Sequence, residues 1–327
     1  ALSALEPRPD DTLLATLPIF HAFGLTATVL MPLIEGVPVV CHPDPRDAVA
    51  IGRLCYQYKA SILCGTSTFF RLYAKSRSLK PEMLASLRMV LAGAERLQPE
   101  IRTMFEEKFQ VPIYEGYGTT ELAPVVSCNR PDGLYQTRHI HGTVGQLVDG
   151  CMARIIDPET MALMADKQAG MISITGVNVM VNYLNNPEKT SEVIYEHDGM
   201  RFYQTGDKGY IDEQGFLKIV DRYSRFAKIG GEMVSLGRVE AMLNEILDPD
   251  KMEILIVATS DARKGEILNL LYSGEDTTID MKQKVTEAGI DNLSKPQNYF
   301  AVDAIPKLGS GKTDYAAAKA LALSLIE

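Results

Sequence analysis

The chain is as informative in what it lacks as in what it contains. Its 33 Lys and Arg are outnumbered by 42 Asp and Glu, for a net charge of -9 and an isoelectric point near 5.2. There is therefore no basic footprint of the kind that nonspecific nucleic-acid binding requires. The five cysteines (Cys41, Cys55, Cys64, Cys128 and Cys151) form no CxxC pair and no zinc-type spacing. That pattern points to buried, reduced thiols in a cytosolic protein rather than a metal site or disulfide framework. Internal repeats and low-complexity linkers are missing too. So are a signal peptide and an initiating Met, and we expect the chain to be cut from a longer polypeptide. From Thr12 to Ile34 there is no Asp, Glu, Lys or Arg, a length that makes a transmembrane candidate. Pro18, His21, Gly24, Pro32 and several threonines in that stretch suit a buried strand, a turn and a helix better.

What is present fits a globular protein: 327 residues, 46% apolar and 23% charged, enough to bury a large core in more than one domain. The first half alternates. Strands are expected at Asp11–Leu17, Val37–Cys41, Ser61–Cys64, Met89–Ala92 and Val111–Tyr114. Helices are expected at Ala22–Leu33, Asp47–Tyr58, from Ser67, and at Pro99–Lys108, the last entered by a proline that a first helical turn tolerates. This alternation indicates an α/β layer with a largely parallel sheet. After Gly142, short runs separated by turns (Ala153–Ile156, Met171–Ile174, Phe216–Ile219) read as an antiparallel β region. From about Phe226 a compact α+β segment follows, with a helix near Leu236–Leu247, a strand at Glu253–Thr259 and a terminal helix from Tyr315.

Three motifs carry chemistry. Gly116-Tyr-Gly-Thr-Thr-Glu121 follows a short apolar strand. Its glycines permit close backbone approach to a phosphate, its N–H groups and hydroxyls can donate to phosphate oxygens, and Glu121 could hold Mg²⁺. The structural alternative is a strand-to-helix turn with Thr as N-cap. Tyr203-Gln-Thr-Gly-Asp207 places a carboxylate after a tight turn, suited to the vicinal hydroxyls of a ribose or to capping a turn. Pro306-Lys-Leu-Gly-Ser-Gly-Lys312-Thr313 ends like a Walker A loop, but that pattern needs glycine at 306, where Pro306 stands. Three further features have plain structural readings. They are Gly93-Ala94-Glu95 after a strand, His21 in an apolar run, and the His139/His141 pair, which reads as a solvated loop.

In this order and at these separations the motifs resemble the adenylate-forming superfamily of acyl-CoA synthetases, peptide-synthetase adenylation domains and luciferases, from Leu17 to Lys312. The resemblance implies the C-terminal part of a large α/β adenylation domain with a small β region over 1–223. A small mobile α+β domain would follow over 224–327, hinged at Tyr223–Arg225. It implies use of ATP and Mg²⁺ to convert a carboxylic acid to an acyl-adenylate, then transfer of the acyl group to a thiol. Tyr117 would stack on adenine, and Gly118, Thr119 and Thr120 would follow the phosphate, with Glu121 holding the metal. Gly93, Ala94 and Glu95 would line the adenine and acyl pocket. Asp207 would bind ribose with Arg222 as a second contact, and His21 would sit near the acyl carboxylate. Lys312 would neutralise charge between carboxylate and α-phosphate, and Lys228 to Gly231 would face the site during thiol transfer.

The family's Ser/Thr/Gly-rich phosphate loop is not in the sequence and would lie upstream of Ala1. This chain alone is therefore expected to be weak or inactive in adenylation. At the hinge, Asp221-Arg-Tyr-Ser-Arg225 replaces the common Gly-Arg-x-Lys-Asp. Arg225-Phe-Ala-Lys-Ile-Gly-Gly-Glu-Met-Val-Ser235, Gly65-Thr-Ser-Thr68, Ala92-Gly-Ala-Glu-Arg-Leu97 and Asp261-Ala-Arg-Lys-Gly-Glu266 are similar to the acyl-acyl carrier protein synthetase part of bacterial 2-acylglycerophosphoethanolamine acyltransferases. That implies a fatty acid substrate, acyl carrier protein as thiol acceptor with Arg263 and Lys264 in its docking patch, and a lysophospholipid as final acceptor. It also implies a place on the cytoplasmic face of the inner membrane, held by the missing N-terminal part. A long-chain fatty acyl-CoA synthetase, using coenzyme A, and a non-catalytic nucleotide- or carrier-protein-binding fragment remain the alternatives.

Overall fold

The structure is a computed structural model that describes residues 6–248, 251–261, 263–274, 279–308 and 312–326. The chain divides into two compact units, Ala1–Val220 and Asp221–Glu327.

The first unit is built on a seven-stranded sheet in the order β2-β1-β3-β4-β5-β6-β7. Its strands are β1 (Leu13–Ala15), β2 (Val39–Cys41), β3 (Ile62–Gly65), β4 (Met89–Ala92), β5 (Ile113–Tyr117), β6 (Ser127–Cys128) and β7 (Gln146–Leu147). Strands β1 to β5 run parallel, and β6 and β7 continue antiparallel. Every residue of β3 and β4 is buried, as a parallel sheet covered on both faces demands. Alternation along the strands feeds two cores. Leu63, Val90 and Ile113 join the cluster with Ile51, Phe70 and Phe105, while Ile62, Cys64, Met89 and Leu91 join Leu13, Ala27 and Met31. The helices Ala48–Tyr58 and Ser67–Lys75 start where Asp47 and Thr66 accept backbone N–H bonds, the expected N-caps. The expected helix at Ala22–Leu33 is interrupted. A π-helical turn, Leu25–Leu30, joins short α-helical pieces, with the Met31 N–H reaching back to the Thr26 carbonyl. Pro32 lacks the N–H that would continue the regular ladder. No helix among the described residues is long and apolar enough to cross a membrane.

A second, antiparallel sheet of five strands completes this unit: β8 (Cys151–Ile156), β9 (Gly170–Gly176), β10 (Ile194–His197), β11 (Met200–Ile211) and β12 (Leu217–Arg222). The tight turn expected before Asp207 is instead a bulge inside the twelve-residue strand β11. The register with β9 slips between Gln204 and Lys208, and Gly206 has φ +76°. Bulges of this kind re-aim single side chains.

The second unit carries its own five-stranded sheet of β13 (Phe226–Ile229), β14 (Glu232–Ser235), β15 (Met252–Asp261), β16 (Gly265–Gly274) and β17 (Asn298–Ala301). Gly230 and Gly231, at φ +57° and +92°, make the two-residue turn between β13 and β14, for which glycine in both central positions is well suited. Helix Leu236–Asn244 packs its Val239 and Leu243 into a core with Ile256, Leu268 and Leu270. Arg225 is buried here. Its guanidinium pairs with Glu240 at 2.5 Å, donates to the Ile256 carbonyl at 2.9 Å, and lies 4.5 Å from the Tyr315 ring centroid. Arg225, expected at the hinge, is buried in the interior of the second unit.

Of the thiols, Cys55, Cys64 and Cys128 are buried as expected and Cys151 is half-buried, but Cys41 is exposed. Burial pushes Cys64 and Cys128 up to about 12, which makes them inert. His139 is a half-buried loop residue rather than a solvated one: its ring lies tilted against Tyr114 and His141, at 4.8 and 4.7 Å between ring centroids.

Candidate active site

The glycine loop begins where β5 ends. Gly118 is obligatory, because a Cβ at that position would lie 1.6 Å from the Pro124 carbonyl oxygen. The chain then enters a single 3-10 turn, Thr120–Leu122, and leaves it through Ala123 at φ +54°. Thr119 occupies the N-cap position without making a cap hydrogen bond. Its Oγ1 is buried and lies against the Tyr203 hydroxyl. The simple capping explanation of this threonine therefore fails. Thr120 is exposed beside it.

The loop meets the second motif directly. Tyr117 Oη donates to Asp207 Oδ2 at 2.6 Å, across 90 residues of sequence. Asp207 is buried, and its backbone N–H donates to Thr205 Oγ1 at 3.1 Å, while Thr205 donates in turn to the Ile172 carbonyl at 2.9 Å. The bulge thus delivers a carboxylate to the end of the glycine loop and fixes the backbone that bears it.

Glu121 is held by a residue that its own motif does not announce. Tyr183 Oη donates to Glu121 Oε1 at 2.7 Å. Burial first, then the bond to Glu121, pushes the Tyr183 phenol up to about 12. Tyr203 is pushed up as well, by burial and by the Glu121 charge. Both phenols remain protonated donors at neutral pH. Among the described residues no group of three or more His, Cys, Asp or Glu side chains could hold a metal ion. Glu121 could therefore hold Mg²⁺ only together with oxygens of a bound phosphate, the usual arrangement for this ion. A carboxylate held through one oxygen by Tyr183, beside the hydroxyl-bearing glycine loop, fits that role.

The remaining candidates are distributed as follows. Gly93 packs against the Phe23 ring, which a Cβ there would approach to 2.9 Å, and Ala94 adopts φ +71°. Glu95 Oε1 accepts the Thr68 N–H at 2.6 Å, in the first turn of helix Ser67–Lys75, where a negative charge is favourable. His21 Nδ1 accepts the Phe23 N–H at 3.2 Å and so serves as a local N-cap. Arg222, Lys228 and Lys312 belong to the second unit. Arg222 and Lys228 are exposed, and Lys228 sits on β13 with its N–H on Glu266 Oε2 at 2.6 Å. Lys312 follows Gly309, Ser310 and Gly311, which lie outside the described residues. Its carbonyl accepts the Leu308 N–H at 2.7 Å, and a β-bridge joins Lys307 to Thr313. The base of this loop is tied down by a Lys307–Glu253 ion pair of 3.0 Å. The backbone N–H groups of Arg263 and Lys264 are both taken by Asp261 Oδ1, while Ala262 lies outside the described residues.

Sequence reasoning passed over Tyr183 and Asn178. Asn178 donates to the Leu122 and Val125 carbonyls at 2.8 and 3.2 Å, which fastens the turn that bears Glu121. Neither residue stands in a glycine-bearing motif, and both act over more than 50 residues of sequence. The uncharged, β-poor run Asn182–Pro187 is the only local signal that this segment is a loop with a task.

A family described as AMP-binding enzyme matches residues 2–184. Over 316 residues the chain is 33% identical to probable 4-coumarate–CoA ligase 1 of Dictyostelium discoideum, covering 93% of this chain and 54% of that protein. The chain thus spans about half the length of the curated relatives it matches. ATP-bound MatB from Rhodopseudomonas palustris superposes with a TM-score of 0.85 at 25% identity, over 100% of this chain and 63% of that one. MenE from Bacillus subtilis, in complex with ATP and magnesium ion, shares the fold with a TM-score of 0.79 at 23% identity, over 96% of this chain and 62% of that one. With the family match extending over more than half of its residues, the chain belongs to the AMP-binding enzymes of the adenylate-forming superfamily.

Proposed function

We propose that this chain carries the adenylate-binding part of an acid–thiol ligase. Such an enzyme uses ATP to activate a carboxylic acid as an acyl-adenylate and then transfers the acyl group to a thiol. The observation that carries the reading is the Tyr117–Asp207 hydrogen bond, which joins a glycine loop suited to phosphate with a carboxylate suited to a ribose diol. Solved relatives in complex with ATP and with magnesium support the same cofactors here. Asp207 accepts the ribose hydroxyls, and Arg222 adds a second contact. The Tyr117 ring stacks on the adenine, and Gly93, Ala94 and Glu95 border the base and acyl pocket. The backbone of Gly118 with the Thr119 and Thr120 hydroxyls donates to the α-phosphate. When bound at Glu121, Mg²⁺ supplies positive charge to the phosphate oxygens. As the acyl carboxylate attacks, the Lys312 ammonium compensates charge on the carboxylate and α-phosphate, and His21 lies at the acyl end.

For substrate we propose a fatty acid, with acyl carrier protein as acceptor and a lysophospholipid as the final destination of the acyl group, at the cytoplasmic face of the inner membrane. The motifs around Arg225–Ser235 and Asp261–Glu266 support this choice. Coenzyme A is the second reading, favoured by relatives named as CoA ligases. The test is ATP–pyrophosphate exchange on the polypeptide of the full open reading frame, with a panel of carboxylic acids. Thioester formation is then assayed with holo-acyl carrier protein and with coenzyme A. Exchange that needs Mg²⁺ and a long-chain acid, with thioester on carrier protein alone, is the expected result. Thioester on coenzyme A alone replaces the acceptor, and no exchange with any acid contradicts the ligase reading.

A further inference from the structure

The turn that bears Glu121 is gripped by a single later segment. Asn178 holds the Leu122 and Val125 carbonyls, the Met180 N–H donates to the Glu121 carbonyl at 2.8 Å, and Tyr183 Oη donates to Glu121 Oε1 at 2.7 Å. The first three bonds fix the backbone of the turn. Only the fourth fixes the carboxylate. Tyr183 is itself oriented: its N–H donates to Thr190 Oγ1 at 2.9 Å, and Thr190 donates to the Asn186 carbonyl at 2.9 Å. Asn186 in turn caps the helix Pro187–Val193. The phenol is thus presented from a braced loop rather than from a freely turning surface residue.

A carboxylate with one oxygen pinned has one orientation to offer. Among the described residues the side-chain hydrogen bond to Glu121 falls on Oε1, and no group of three or more His, Cys, Asp or Glu side chains forms a ready-made metal cage. Mg²⁺ demands near-octahedral geometry and tolerates misplaced ligands poorly. When the protein supplies a single carboxylate, the group that fixes its rotation governs how well it binds. Partners that hydrogen-bond a metal-binding side chain are commonly worth 10–100-fold in metal affinity.

We propose that Tyr183 is a positioning residue that sets the Glu121 carboxylate for the nucleotide-bound metal, Oε1 being held by the phenol and Oε2 left for the cation. This rests on the reading of Glu121 as the metal-binding residue. The test uses the polypeptide of the full open reading frame, with Mn²⁺ as a paramagnetic probe and α,β-methylene-ATP as a nucleotide that cannot be cleaved at the reacting bond. Mn²⁺ binding to that complex is followed by electron paramagnetic resonance in the wild type and in Tyr183→Phe, which deletes one oxygen and keeps the ring. AMP affinity is measured without metal in parallel. The expected result is a loss of Mn²⁺ affinity of about 10–100-fold, with metal-free AMP affinity changed less than about twofold. Equal Mn²⁺ binding in both proteins overturns the positioning role. So does a matching loss of AMP affinity, which would make Tyr183 a support of the turn as a whole. A wild type that binds AMP but no Mn²⁺ overturns the metal reading of Glu121 and this role with it.

Discussion

Tyr117 and Asp207, 90 positions apart, share a 2.6 Å hydrogen bond, and around that bond the candidate site is organised. The tyrosine ends a strand of the parallel sheet and the aspartate sits on a bulge of the antiparallel one. The bond therefore links the two sheets of the first unit at the glycine loop. If Asp207 binds ribose through charge-assisted hydrogen bonds of about 1.5–3 kcal/mol, Asp207→Ala should weaken AMP binding by roughly 10–100-fold. Calorimetric titration of the folded variant checks this, and unchanged affinity removes Asp207 from the site.

Gly118→Ala should disable the loop. The new Cβ would lie 1.6 Å from the Pro124 carbonyl oxygen, backbone that cannot yield as a side chain would. We expect a lower melting temperature and loss of measurable AMP binding. Normal behaviour in both would mean that the loop relaxes freely and is not built to a fixed shape.

Substitution of Lys312 tests catalysis apart from binding. Lys312→Ala should lower pyrophosphate exchange about 100-fold or more, the scale of removing one preorganised charge stabiliser, and leave AMP affinity near that of the wild type. An unchanged exchange rate would favour the non-catalytic binding reading.

The Arg225–Glu240 pair stabilises the second unit. Removing the arginine leaves a buried carboxylate, whose pKa is already raised by burial, without its cation. We expect Arg225→Ala to destabilise this unit by about 3–5 kcal/mol, read as a lower urea midpoint by tyrosine fluorescence. A loss below about 1 kcal/mol would show that solvent reaches the pair.

His139 gives the first unit an acid-sensitive element. Burial first, then His141, hold its pKa down at about 4, against an ordinary 6.5. The unfolded chain therefore takes up the proton at a higher pH than the folded one. The associated stability is present above about pH 6.5 and is lost as pH falls toward 4. Urea midpoints at pH 7.5 and 5 should fall further apart in the wild type than in His139→Phe, whose ring keeps the contact with Tyr114. Equal falls would contradict the assignment.

Much of this architecture was readable in the sequence. Unbroken apolar runs such as Ile62–Cys64 and Met89–Ala92 announce parallel strands, and Asp47 and Thr66 mark helix starts. What escaped depends on long-range geometry. Nothing local distinguishes the bulge at Asp207 from a turn, since both call for glycine before a carboxylate. The π-helical turn at Leu25–Leu30 arises from Pro32 acting within an otherwise helical pattern. Strands β16 and β17 were passed over beside the stronger signal of β15. Within the site, glycine-rich motifs are visible because glycine is conspicuous. A tyrosine such as Tyr183, contributing one hydroxyl from 62 residues away, leaves nothing in the sequence that names its partner.

The most direct test of the account is titration of the folded 327-residue chain, and of its Asp207→Asn and Tyr117→Ala variants, with a non-hydrolysable acyl-sulfamoyl adenosine. The account predicts saturable binding to the wild type, weakened by each substitution and competed by AMP. A folded wild type that binds neither the analogue nor AMP would contradict it.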